Sequence, residues 1–379
     1  MKKPRVALVA LHFAEYALNL ALAVAESREV LLVLYRGNAD RELGSDWLTG
    51  VRHPSLRLLI LDRPRSPLTI LGNARRLVRA IQQFKPDVIH YQEEPRDEII
   101  LGLYFLRSIP TVLTVHDPTP HSGTDSNRLR YSRFRLYQPL MRRAADMAIT
   151  HGGLLADNLI EAFPHFKDKV QSIPHGPLGL FSGTRSSRPN GFRLLFFGRI
   201  FEYKGLGYFV DSVIMLRDKG YPVIGVVAGF GTDLQRHRQR MEEAGCFEIL
   251  DRYIAAKEVP DLFLDSFAVI LPYVDGTQSG VAAMALGFAR PVVASAVGSI
   301  PELVRNGENG LLVPPSDSIA LSDAIETLIT DDQLWERLAA GASELRDGDL
   351  SWRSIADKTV DVYASVRKMR LTSATSAVP

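Results

Sequence analysis

Cysteine is almost missing from this sequence: Cys246 stands alone among 379 residues. One thiol excludes an internal disulfide and any metal site built from several cysteines, and it fits a reducing cytoplasm. Cys246 itself reads as a small buried or edge residue. Long apolar runs are lacking too, since no stretch reaches the roughly 20 uninterrupted apolar residues of a membrane-spanning helix. The start, MKKPRVALVALHF, has charges and an apolar run but no small-residue cleavage site. Arg5 to Ala10 therefore reads as a first core strand rather than part of a secretory leader. Neither a repeat of about 20 to 50 residues nor a low-complexity segment is present, which excludes solenoids and propellers.

An excess charge of one sign is also missing, the net being only +2. Its distribution is uneven: residues 1–182 carry 24 Lys/Arg against 18 Asp/Glu, and the remainder carries 21 against 25. A basic half beside an acidic half points to an anionic surface or partner for the first half, and is too weak to imply nucleic acid.

At 379 residues the chain exceeds one ordinary domain, and its 46% apolar content suffices for two cores. Short apolar runs alternate with helical periodicity, the pattern of parallel sheets with crossover helices. In the first half RVALVAL, EVLLVLY, LRLLIL, DVIHYQ, TVLTVH, MAITH and VQSIPH read as strands. Between them Tyr16 to Glu26, Ile70 to Phe84, Asp97 to Arg107 and Asn127 to Ala145 read as helices. The Ser/Gly/Pro/Arg run SGTRSSRPNG, residues 182–191, reads as a linker. Beyond it the strands are RLLFFGR, VIGVVAG, FEILDRY, AVILPY, PVVAS and GLLVPP, with helices that include Gly207 to Lys219 and Ser318 to Thr330. Two doubly wound α/β units, residues 1–181 and 192–352, are thus expected to face across a cleft, with ligands outside the carboxyl ends of their strands. The small, polar tail 372–379 is expected to be disordered.

Three glycine-bearing loops fall at such strand ends in the second half. After RLLFF comes GRIFEYKGLGYF, where Gly198 and Gly205 free the backbone and Arg199 and Lys204, five apart, can point at one anion. A solvated loop with two surface cations is the bland alternative. The second loop, VVAGFGTDL, holds Gly229 and Gly231 and is weak evidence alone, because Gly-x-Gly after a strand often only permits a turn. The third lies in PYVDGTQSGVAAMALGFARP, residues 272–291, where Thr277 or Ser279 can cap a helix. Amides around Gly280 and Val281 would then be open at its N-terminus, where dipole and donors favour an anion. Three such loops on one edge make a phosphate site the stronger reading.

In the first half TVLTVHDPTPHSG delivers His116 and Asp117 at a strand end, with Pro118 and Pro120 holding the next loop extended. His116 can accept or donate a proton near neutral pH, or it can simply bond nearby backbone. His121, His151 and His175 meet the same alternative with less to commend them.

Together GRIFEYKG, VAGFG, the 272–291 stretch and IPELVRNGENGLLVPP resemble the retaining glycosyltransferases of family 4, which have the GT-B fold. HDPTPHSG and SIPHG resemble the matching N-terminal half, so the likeness covers roughly residues 5 to 365. The resemblance implies that Arg199 and Lys204 are the donor-diphosphate cations, with Gly198 beside them and Gly229 in the second nucleotide-side loop. It implies donor contacts from Asp275, Thr277, Gln278, Ser279, Gly280 and Val281, and a sugar contact from His116. Tyr253 to Glu258 would frame the base, and Glu302 would have a structural role or a contact. Residues 353–371 would form the closing helix that crosses back to the first domain. Two departures stand out. Many members carry two glutamates eight apart, whereas here Asp275 is followed by Ala283, or, shifted by one, Gly276 by Met284. The TQSGV form looks like a variant in which small residues and amides face the phosphates. The first turn, ALHFAEYALNLA, lacks the usual glycine pair and offers His12, Glu15 and Tyr16 instead. With His121, His12 and Glu15 are acceptor-side candidates.

The implied reaction moves a sugar from a UDP- or GDP-linked donor to an acceptor hydroxyl with retention. No metal or other cofactor is expected, and domain closure about the linker would exclude water. The expected setting is bacterial exopolysaccharide, lipopolysaccharide or glycolipid assembly, in the cytoplasm or on the inner face of its membrane. Residues 127–147 carry Arg128, Arg130, Arg133, Arg135, Arg142 and Arg143, interleaved with Tyr131, Phe134 and Tyr137, and Arg75, Arg76 and Arg79 lie in the same half. They suit anionic headgroups and a lipid-linked acceptor, or equally a solvated arginine face over core aromatics. Competing readings are a catalytically silent GT-B subunit binding a partner transferase and a nucleotide-sugar epimerase, for which no acid/base carboxylate pair is found. A dinucleotide dehydrogenase is disfavoured, since the first turn has no Gly-x-Gly-x-x-Gly.

Overall fold

A computed structural model of the chain describes residues 3–118, 134–179, 187–276 and 278–375. They form two compact units, one made of the chain up to Pro174 together with Trp352 onward, the other of His175–Ser351.

The first unit holds β1 (Arg5–Ala10), β2 (Glu29–Tyr35), β3 (Leu56–Leu61), β4 (Val88–Gln92), β5 (Thr111–Val115), β6 (Met147–Thr150) and β7 (Val170–Ser172). All pair in parallel in the order β3-β2-β1-β4-β5-β6-β7. Its helices are α1 (Ala14–Ala25), α2 (Arg36–Leu43), α3 (Trp47–Gly50), α4 (Pro67–Phe84), α5 (Asp97–Leu106), α6 (Phe134–Ala144) and α7 (Gly153–Ala162). The order reverses between β1 and β4, the switch point at which such sheets leave room for ligands. Residues Val6 to Ala10 are all buried, as a strand covered on both faces requires. Helix α4 begins where Ser66 accepts the Thr69 amide at 3.3 Å and Pro67 supplies the first helical φ.

The second unit holds α8 (Leu206–Asp218), α9 (Leu234–Ala244), α10 (Val259–Leu264), α11 (Gly280–Gly287), α12 (Ile300–Leu303), α13 (Ser318–Thr330) and α14 (Asp332–Asp347). Its strands β8 (Phe192–Phe197), β9 (Val223–Gly229), β10 (Phe247–Asp251), β11 (Ala268–Leu271), β12 (Val292–Ser295) and β13 (Gly310–Val313) are parallel, in the order β10-β9-β8-β11-β12-β13. Alternate residues feed two cores: Leu194, Phe196 and Val227 pack on one face, Leu195, Val226 and Ala228 on the other. The last helix, α15 (Trp352–Thr375), returns to the first unit, packs on α1, and continues past Thr372, where a disordered tail was expected. No helix among the described residues is long and apolar enough to cross a membrane.

Every strand expected from sequence is present, each within a few residues of its expected ends. Helix α9 was not anticipated, because LQRHRQRMEEA is polar nearly all round and buries only Leu234 and Met241. The expected helix from Asn127 is described only from Phe134, and its earlier residues, with Arg128, Arg130, Tyr131 and Arg133, lie outside the described residues.

Arg142 corrects the expected headgroup-facing arginine stripe, since it points inward. It is 2% exposed and grips Glu93 at the end of β4 with Nε at 2.7 Å and Nη2 at 2.9 Å. It also donates to the carbonyls of Pro118 at 2.9 Å and Asp117 at 3.0 Å, pinning the loop that follows β5. Only an arginine's fork serves two carboxylate oxygens and two carbonyls at once. Arg143, next to it, is exposed. Arg142→Ala strands a buried carboxylate and is expected to cost about 3–5 kcal/mol in urea unfolding. A loss below about 1 kcal/mol would show that the pair does not hold this loop.

Candidate active site

In the second unit the loops after β8 and β9 approach each other closely. Gly198 has φ +104° and donates its amide to the Ala228 carbonyl at 2.9 Å. Gly229 has φ +146°, and a Cβ there would lie 1.8 Å from the Gly198 carbonyl oxygen. A Cβ at Gly231 would meet the Ile200 oxygen at 2.0 Å, and one at Gly205, with φ +71°, the Pro272 oxygen at 2.0 Å. Glycine at these positions is a steric requirement. Gly205 and Gly231, to which the resemblance gave no donor role, thereby matter as much as Gly198 and Gly229.

Helix α11 opens onto the same place. A Cβ on Gly198 would sit 3.3 Å from Lys204 Nζ and 3.7 Å from Val281 Cγ2, so backbone, cation and helix mouth converge. Ser279 is the cap: its Oγ accepts the Ala282 amide at 3.1 Å and lies 3.5 Å from the Tyr273 hydroxyl. The amides of Gly280 and Val281 precede the first carbonyl that the helix could offer them, and among the described residues neither has a hydrogen-bond partner at this positive end of the dipole. Thr277, the other cap candidate, lies outside the described residues; Asp275 is exposed and Gln278 half-buried.

Lys204 is buried, with Nζ 5.1 Å from the centre of the Tyr273 ring. Burial lowers its pKa to about 8; Tyr203 opposes the shift and the positive charge of Arg199 adds to it. Arg199 is exposed, its guanidinium 5.5 Å from the Phe201 ring. The segment expected to frame a base is stiffened by Glu258, which pairs with Arg252 at 2.6 Å and accepts the Ala255 amide at 3.0 Å. Arg252 and that amide hold its carboxyl down at about 2. Glu302, on α12, is exposed. His175, given little weight by the sequence, is buried in this unit, with Cε1 4.0 Å from where a Gly280 Cβ would be.

In the first unit His116 sits just beyond β5 and is 5% exposed. Its ring stacks on Phe13 at 4.1 Å between centres, and its Nε2 lies 3.0 Å from Gln92 Oε1. Tyr16, edge-on at 5.9 Å, and the tilted ring of His151 at 4.9 Å pack around it. Phe13 takes a left-handed conformation, φ 59°, in the turn that lacks the glycine pair. The mouth of α1 is occupied by the chain itself. Asn38 Oδ1 accepts the Ala14 amide and Glu42 Oε2 the Glu15 amide, both at 3.1 Å, and Asn38 Nδ2 lies 3.3 Å from His12 Nδ1. His12 and Glu15 thus flank a helix N-terminus whose first donors are already used. His121 lies outside the described residues.

Both halves match known families. The model described as glycosyltransferase family 4 matches residues 14–176, and that of the group 1 glycosyl transferases matches residues 191–331. The phosphatidyl-myo-inositol mannosyltransferase of Mycobacterium leprae is 32% identical over 304 residues, 74% of this chain and 74% of that protein. A glycogen synthase of Mycobacterium tuberculosis is 24% identical over 300 residues, 76% of this chain and 70% of the other. Among solved structures, Anabaena HepE in complex with UDP and glucose has a TM-score of 0.71 at 18% identity, covering 96% of this chain and all of that one. Sucrose-phosphate synthase from Thermosynechococcus elongatus has a TM-score of 0.68 at 18% identity, covering 96% and 99%. Two parallel-sheet units with this likeness over most of the chain place the protein in glycosyltransferase family 4, on the GT-B fold.

Proposed function

We propose that the protein transfers a sugar from a UDP- or GDP-linked donor to an acceptor hydroxyl with retention at the anomeric carbon. The observation that carries this reading is the meeting of Gly198, Lys204 and Val281 at the mouth of α11. A diphosphate there receives the charge of Lys204, that of Arg199 and the open amides of Gly280 and Val281. These are fixed before reaction, so they stabilise the charge that develops on the leaving nucleotide without reorganising. With Ala283 and Met284 where a ribose-binding glutamate is common in the family, the second unit's grip on the donor rests on the phosphates. To His116 we assign the role that its match to the family's strand-end histidine implies, a hydrogen-bonding partner for the transferred sugar. An acceptor hydroxyl attacking from the leaving group's face gives retention, without the carboxylate pair of glycoside hydrolases.

The acceptor we assign is a saccharide or lipid-linked saccharide of surface polysaccharide or glycolipid assembly, reached at an anionic membrane. Helix α5 exposes Leu101, Tyr104 and Phe105 at one-turn spacing, with the Arg107 guanidinium 4.0 Å over the Tyr104 ring. Helices α4 and α6 flank it, adding exposed Arg75, Arg76 and Arg79 on one side and exposed Leu136, Leu140 and Arg143 on the other. Apolar tips among arginines suit a headgroup boundary. Phosphatidylglycerol vesicles are expected to sediment the protein where phosphatidylcholine vesicles do not. Tyr104→Ser with Phe105→Ser should release most of it, and equal sedimentation with both lipids would remove the membrane assignment.

Donor binding is tested by calorimetry with UDP-, GDP- and ADP-sugars alongside nucleotide release. One of them is expected to bind, with Arg199→Ala weakening it about tenfold or more. Because the Lys204 pKa is lowered, its charge is present below about pH 8 and is lost as pH rises through that value. Affinity is therefore expected to fall above about pH 8 in the wild type and to stay level in Lys204→Arg. Binding without turnover on any acceptor would favour the silent-subunit reading. Absence of binding to all three sugar classes would sink the donor site.

A further inference from the structure

A parallel sheet covered on both faces normally presents apolar side chains to both layers. Strands β4 and β5 break that rule on one face. Residues at alternate positions point the same way along a strand, and Gln92 is the register partner of Thr114. The face that bears His90 and Gln92 on β4 and Thr114 on β5, with His116 just beyond, is therefore a polar stripe. Ile89, Tyr91, Leu113 and Val115 on the opposite face belong to the apolar core. All four stripe residues are buried, and so is Tyr363 of α15, which faces them.

The stripe is one connected chain of hydrogen bonds. Tyr363 Oη lies 2.7 Å from His90 Nδ1, and His90 Nε2 lies 2.7 Å from Thr114 Oγ1. Gln92 Nε2 donates to Thr114 Oγ1 at 3.5 Å, and Gln92 Oε1 lies 3.0 Å from His116 Nε2. Burial keeps His90 neutral, its pKa lowered to about 3, and His151 adds to the shift. When His90 Nε2 accepts from the Thr114 hydroxyl, that hydroxyl has only its lone pairs to offer Gln92, and the direction at Gln92 is set. Its amide nitrogen donates to Thr114, so its oxygen can only accept, and the proton on His116 must sit on Nε2. Nδ1 is then the acceptor edge of the His116 ring.

We infer that Gln92, held by Thr114, His90 and Tyr363, is a positioning residue that locks His116 in the Nε2-protonated tautomer with Nδ1 as acceptor. The inference rests on the reading of His116 as the sugar-contacting group. It adds that the final helix, through Tyr363, has a part in the orientation of that ring. A merely structural polar cluster would stabilise the fold without fixing the tautomer, and the two differ in what they predict for turnover.

The test combines 15N NMR of histidine-labelled full-length protein, with His116 assigned by its loss in His116→Ala, and turnover measured as nucleotide released from UDP-glucose or GDP-mannose. The wild type is expected to show His116 protonated at Nε2 only. Gln92→Leu should mix the tautomers and lower kcat roughly tenfold to a hundredfold with donor KM little changed. Gln92→Glu, which restores an acceptor, should recover most of that loss. Tyr363→Phe removes one hydroxyl and keeps the ring packing, so it stays folded and should show a smaller kcat loss. A wild-type His116 protonated at Nδ1 overturns the inference without any substrate. So does Gln92→Leu turning over within about twofold of wild type while His116→Ala is inactive, an outcome that leaves the reading of His116 standing. Full turnover in His116→Ala removes that reading, and the inference with it.

Discussion

Close backbone contact is the constraint on which the second unit's site depends. The carbonyls of Gly198, Ile200 and Pro272 occupy the space where side chains at positions 229, 231 and 205 would otherwise stand. Only because those side chains are missing can the loops after β8 and β9 lie against each other and against the segment leading to α11. That contact holds Lys204 where water is scarce, and scarcity of water gives its charge strength and a lowered pKa. A site built this way cannot be tuned by small steps at the glycines, since any side chain there displaces a carbonyl that another loop uses.

The first unit solves a different problem. It must carry polar chemistry through a sheet buried on both faces, and it does so by gathering His90, Gln92 and Thr114 on one face of β4 and β5. Arg142 and Glu93 then fix the loop beyond β5 from the other side, so His116 is approached by two separate polar systems. Neither is close to solvent, which makes both sensitive to the loss of a single partner.

Much of the fold was legible because buried parallel strands announce themselves as short runs rich in Val, Ile and Leu. EVLLVLY, LRLLIL and VIGVVAG begin and end where the strands do. Helix α9 was hidden by its polarity, and the inward turn of Arg142 by its place in a run of arginines that alternation does not resolve. For the site, Gly198, Lys204 and the mouth of α11 could be picked out as loop chemistry at strand ends, and the structure brings them together. The roles of Gly205 and Gly231 depend on where distant carbonyls fall, which no local pattern encodes. The polar stripe was in plain view, as His and Gln two apart in VIHYQ and Thr and His two apart in TVLTVH, but it gains meaning only once β4 and β5 are known to be neighbours.

The return of α15 to the first unit sets the order in which this chain can be finished on the ribosome. Among the described residues the second unit is drawn from the one stretch that starts at His175, and it has all its parts once Ser351 has emerged. The first is begun earlier and completed later, because the helix that covers α1 and supplies Tyr363 to His90 is made after the second unit. Until then a buried imidazole and an apolar helix face wait open, which gives a nascent chain stalled before Trp352 a reason to engage chaperones through its oldest half rather than its newest.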